Sequence, residues 1–127
     1  MAEKDPRKVK IGRKSRNKGA RGEREAAAEL EKIFEGSGFH RGRQYHGGPG
    51  TPDICTPLEG VHFEIKRTES LSLYPAMEQA RSDSKETEVP VVMHRRSHKP
   101  WLVVVELDRL PELIRNLYPN LKKEEEA

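Results

Sequence analysis

Val61-His62-Phe63-Glu64-Ile65-Lys66-Arg67 is the stretch on which the fold turns. Apolar and polar side chains alternate along it with a period of two, which predicts a β-strand. Phe63 and Ile65 project to one side, into a core, while Glu64 and Lys66 project together on the other. Just upstream, Gly47, Gly48, Pro49, Gly50 and Pro52 make a loop, and Asp53-Ile54-Cys55 opens a short strand closed by Pro57. With Gly60 between them, the two runs predict a hairpin that sets Asp53 beside Glu64.

Outward from this hairpin the elements follow by pattern. From about Lys18 the chain is rich in helix formers, and Ala27, Leu30, Ile33 and Phe34 recur at helical spacing until Gly36 and Gly38 stop the helix. Phe39 to Tyr45 alternates loosely, as an edge strand does. Downstream, Pro75 to about Ser82 predicts a short helix with Pro75 in its first turn. Val89 to His94 and Trp101 to Glu106 predict two strands, and Leu110 to Tyr118 a closing helix. The order is helix, three strands, helix, two strands, helix, an α/β fold without an internal repeat. Its 127 residues suit one domain. We place that domain at 18–121, behind a flexible basic arm at 1–17 and before a charged tail at 122–127.

Only 33% of the residues are hydrophobic and 35% are charged, but the apolar ones cluster in the predicted strands. Residues 1–24 carry ten Lys or Arg against Glu3, Asp5 and Glu23, so this end is +7 and the remainder −4 of a net +3. A basic arm on a mildly acidic body fits a polyanionic partner, since Lys and Arg on phosphates release condensed counterions. A solvated tail has the same composition. Cys55 is the only cysteine, which excludes an internal disulfide and a cysteine-based zinc site. Neither a run long enough to span a membrane nor a signal-peptide pattern is present, so the expectation is a cytoplasmic protein without a membrane partner.

The chemistry converges on Asp53, Glu64 and Lys66. Two carboxylates brought together hold a hard divalent cation such as Mg²⁺, with Mn²⁺ a workable substitute. A cation so placed stabilises charge on a phosphodiester under attack and acidifies a bound water. Lys66 could orient or deprotonate that water, or stabilise the developing charge. A Glu-x-Lys triplet alone is common in so charged a chain, and its plain alternative is the wet face of an amphipathic strand. Pro52-Asp53 after a Gly-rich loop, and a helix carrying Glu23 upstream, make the combination specific.

Pro52-Asp53 followed by Glu64-Ile65-Lys66 resembles the PD-(D/E)xK nuclease superfamily. Lys18-Gly19-Ala20-Arg21-Gly22-Glu23-Arg24-Glu25 resembles the first helix of archaeal-type Holliday junction resolvases and their phage relatives. The likeness covers roughly residues 18–107. It implies a restriction-endonuclease-like fold, with a central mixed five-stranded sheet flanked by helices, a homodimer, Mg²⁺ dependence and cleavage of branched double-stranded DNA. By matching position, Asp53, Glu64 and Glu23 would be metal-site acids and Lys66 the catalytic lysine. Arg21, Arg24 and Arg43 would meet DNA, and Gln79 matches a polar site residue of related nucleases. Serines usual in the loop before the Asp are missing here, where Thr51 offers a hydroxyl instead.

Other groups fit plainer roles. The five histidines are scattered and suit a solvated surface, His94 and His98 included, and Cys55 suits a small buried filler. Arg95, Arg96, His98 and Lys99 make a charged hairpin tip that could add a phosphate contact. Trp101, Leu102, Leu113, Leu117 and Tyr118 serve either a core or a dimer interface. The expected function is a metal-dependent, structure-specific DNA endonuclease that resolves four-way junctions by paired nicks. The alternatives are another repair or restriction-like nuclease of the same chemistry, or a non-catalytic nucleic-acid-binding module.

Overall fold

The computed structural model describes residues 6–36, 38–41 and 54–123. Its elements are α1 (Pro6–Ile33), β1 (His40–Arg41), β2 (Ile54–Cys55), β3 (Val61–Arg67), α2 (Leu73–Asp83), β4 (Val89–Arg95), β5 (Leu102–Val104) and α3 (Leu110–Leu117). Two 3-10 turns, Leu107–Arg109 and Tyr118–Asn120, flank α3.

β3, β4 and β5 form a mixed sheet in that order. β3 runs parallel to β4, with Glu64 opposite Val92 and Lys66 opposite His94, and β4 runs antiparallel to β5. Parallel neighbours need a crossover, which α2 supplies. Pro90 lies within β4, yet it interrupts no ladder. The Val89 N–H donates to Gly60 O at 2.8 Å, so odd-numbered N–H groups of β4 point to β3 and even-numbered ones to β5. β5 reaches only Val92, Met93 and His94, leaving the position of the missing donor outside the pairing.

Helices cover both faces. Val61, Phe63, Ile65, Val89, Val91 and Met93 turn toward Ala26, Ala27 and Leu30 of α1 and Leu113 of α3, making the main core. Each of the larger side chains contributes about 1.5–3 kcal/mol by leaving water. On the opposite face, Val92 packs against Ala76, Met77 and Ala80 of α2. Gly22 lets α1 approach β3 closely, because a Cβ there would overlap the Cβ of Arg67. The Glu25 carboxylate then ties the helix to both strands, 3.4 Å from Arg67 Nε and 3.4 Å from Arg95 Nη1. The far end of α1 is closed by the chain's last segment. Lys122 N–H donates to Ile33 O at 2.9 Å, satisfying a carbonyl that the helix end leaves open, and Glu35 N–H just beyond it donates to Asn120 O at 2.7 Å.

The α/β class and the order of elements match the sequence expectation, but the single five-stranded sheet does not. Among the described residues β1 and β2 form a separate antiparallel pair, His40 opposite Cys55 and Arg41 opposite Ile54, and β2 does not ladder with β3 as the predicted hairpin required. The reason is local. β2 is two residues long between Pro52 and Pro57, and Thr56 Oγ1 accepts the Leu58 N–H at 3.0 Å, bending the chain away before a ladder can grow. Gly60 completes the turn at φ +79°, where a side chain would also come within 2.5 Å of Asn116 Nδ2. α1 begins at Pro6 rather than near Lys18, so residues 6–17, expected as a flexible arm, carry helical backbone. Pro6 fits the first helical position, and the Lys and Arg that follow are good helix formers. None of the helices in the described residues is long and apolar enough to cross a membrane.

Candidate active site

Along β3 the face turned to α2 carries His62, Glu64 and Lys66 in succession. Ala76, Met77 and Ala80 hold α2 down on Val92, and this packing leaves Gln79 and Asp83, four residues apart on α2, beside the polar face of β3. Glu64 is 2% exposed. Its Oε2 lies 3.3 Å from His62 Nε2, and its Oε1 3.8 Å from Lys66 Nζ. Lys66 Nζ donates to Gln79 Oε1 at 2.7 Å. An ammonium has only donors, so the amide must present its oxygen to it. A ring nitrogen of His62, a Glu64 oxygen and an Asp83 oxygen all lie within 4.8 Å of one another.

A carboxylate this deep is costly unless it is paired, and the two partners on β3 account for both of its oxygens. Burial also excludes water and strengthens every interaction of the charge. The ammonium is held at two points, by Glu64 and by Gln79, so its nitrogen is fixed in space rather than swinging on a four-carbon stem. The arrangement can therefore offer a fixed cationic donor beside a carboxylate with metal-ligand chemistry. The donor set fits a divalent cation. Bonds of about 2.1 Å put adjacent ligand atoms about 3 Å apart and opposite ones about 4.2 Å apart, and the 3.3 Å His62–Glu64 separation lies in that interval.

The other expected site residues are distributed as follows. Asp53, Arg43 and Thr51 lie outside the described residues; Ile54, the residue after Asp53, is 2% exposed in the core. Glu23 is 7% exposed on the buried stripe of α1 that continues through Ala27, Leu30 and Phe34. It is not a member of the three-donor group, and α1 packs on the sheet face opposite α2. Arg21 and Arg24 are exposed on α1. Gln79, expected on DNA, is exposed and accepts a hydrogen bond from Lys66.

Two site residues lie beyond what the sequence pattern singled out. His62, expected among solvated histidines, is 4% exposed against Glu64; its signal was the same period of two that aligned Glu64 with Lys66. Asp83 could have been found from its spacing of four after Gln79. His94 is partly buried, with Nε2 2.9 Å from Thr68 O, while His98 is exposed. Of the basic loop, Arg95 is engaged with Glu25 and Lys99 O, and Arg96 and Lys99 are exposed. Leu113 belongs to the core and Trp101 and Leu117 pack against it, whereas Leu102 and Tyr118 are exposed.

Comparison with protein-family models, with curated proteins and with solved structures finds no match for this chain.

Proposed function

We propose that the protein is a Mg²⁺-dependent DNA endonuclease of the PD-(D/E)xK kind, acting as a homodimer on four-way junctions. The observation that carries the proposal is the buried Glu64 and the Gln79-held Lys66 side by side on one face of β3. Glu64 and Asp53 would hold the cation, which when bound supplies charge stabilisation at the scissile phosphate and a more acidic water. Lys66 presents its ammonium to the reacting phosphate or to the attacking water. The new bond forms between that water's oxygen and phosphorus as the bond to the leaving sugar oxygen breaks. Gln79 keeps the lysine aimed. The exposed Arg21 and Arg24, with the basic residues before them, supply phosphate contacts that position the duplex.

Junction preference rests on the likeness of the α1 segment to junction resolvases. It also rests on the need for two sites, related by a two-fold axis, to cut two opposed strands. β5 offers surface for such a dimer, since Leu102 and Val103 on its two faces are 54% and 56% exposed. The test is cleavage of labelled linear, flap and four-way DNA in Mg²⁺ and in EDTA. Paired symmetric nicks in the four-way substrate, absent in EDTA, are expected. Equal cutting of linear duplex would leave a nuclease without junction preference, and binding without any cutting in Mg²⁺ would leave a binding module.

A further inference from the structure

The geometry points to a three-donor cation site built from His62, Glu64 and Asp83, which selects Mn²⁺ over Mg²⁺. It rests on the reading of Glu64 as a cation ligand and adds to that ligand two residues outside the nuclease motif. His62 stands two residues before Glu64 on the same strand face. Asp83 ends α2, and the packing of Ala76, Met77 and Ala80 brings it over both. The three donor atoms are mutually within 4.8 Å. Ligands around one octahedral ion span up to about 4.2 Å, so closing on a cation needs movements of a few tenths of an ångström. Asp83, at the helix end and half-buried, is the member free to make them.

The set is not merely acidic. Its imidazole and one of its carboxylates are more than nine-tenths buried, and the two are already 3.3 Å apart with Nε2 facing Oε2. Glu64 Oε2 thus serves His62 while Oε1 serves Lys66. An imidazole is a softer donor than water or carboxylate and suits Mn²⁺ better than Mg²⁺, which prefers oxygen alone.

The experiment uses the full chain without DNA, titrated with MnCl₂ or MgCl₂ in a calorimeter and followed by pulsed electron paramagnetic resonance of bound Mn²⁺. Wild type should bind Mn²⁺ at least tenfold more tightly than Mg²⁺ and show nitrogen coupling from one imidazole. His62→Gln retains a donor for Glu64 Oε2 and should remove the nitrogen signal and most of the Mn²⁺ preference. Asp83→Asn should weaken both metals about tenfold. Thermal melts in EDTA report folding of each variant, and the wild-type nitrogen signal needs no variant at all. Absence of that signal, or unchanged affinity in Asp83→Asn, overturns the inference. If Glu64→Gln alone weakens binding, the nuclease reading of Glu64 survives without this site; if Glu64→Gln binds as wild type, both fall.

Discussion

Replacing Gly22 by Ala sets two opposed energies against each other on one helix. Helix propensity favours Ala by about 1 kcal/mol. The added Cβ, however, would overlap Arg67 Cβ and lie 3.0 Å from its Cγ and 3.8 Å from its Cα, so α1 must lift from β3. Overpacking of this kind costs about 1–3 kcal/mol, and the lift also stretches the two 3.4 Å ion pairs of Glu25 with Arg67 and Arg95. The expected net is a loss of about 1 kcal/mol. Gly19 is the internal control, with nothing within 4 Å of its Cβ position. There only propensity acts, and Gly19→Ala should gain up to about 1 kcal/mol. At about 4 °C per kcal/mol for a domain of this size, the two variants should separate by about 8 °C in Tm. Thermal unfolding followed by circular dichroism in EDTA measures both. An equal rise in Tm for the two variants would refute the close packing of α1 on β3.

Gln79→Ala should lower kcat by roughly ten- to a hundredfold, the worth of one hydrogen bond to a charged group, with DNA affinity within a few-fold. Single-turnover cleavage set beside a binding titration checks it, and an unchanged rate would remove Gln79 as the residue that aims Lys66. Deleting residues 1–17 removes seven Lys or Arg, and the log–log salt slope of duplex binding should fall by about one unit for each phosphate those side chains neutralise. An unchanged slope would make this segment a passive one. Asn116→Ala removes the 3.1 Å bond to Gly60 O and should destabilise by about 1 kcal/mol in urea, leaving cleavage intact.

The parts of the fold legible in the sequence were those governed by local periodicity. Val61–Arg67 alternates cleanly because one face meets α1 and the other α2, and Val89 to Met93 is a continuous apolar run because it is covered on both faces. The partner of β2 was not legible. A strand of two residues has too short a pattern to specify its partner, and the turn at Thr56 and Gly60 decides where it goes. Glu64 and Lys66 were legible as a pair because spacing along a strand fixes a common face. Gln79 was legible only through resemblance; the strand period marks His62 and the helical spacing marks Asp83, but their meeting was not legible, since it depends on how α2 crosses the sheet. The helical start at Pro6 was hidden by charge, because a Lys- and Arg-rich segment without apolar periodicity reads equally as helix or as tail.

The most direct test of the account is Glu64→Gln on a labelled four-way junction. It exchanges a carboxylate oxygen for an amide nitrogen in a side chain that is 2% exposed, keeping its shape while removing its charge. Wild type should cut in Mg²⁺ and in Mn²⁺. The variant should lose roughly a thousandfold in rate, about 4 kcal/mol of transition-state stabilisation, while junction binding measured in Ca²⁺ stays within a few-fold. Cleavage by Glu64→Gln at the wild-type rate would contradict the assignment of the site, and a wild-type protein that binds the junction yet cuts it in neither metal would contradict the enzyme.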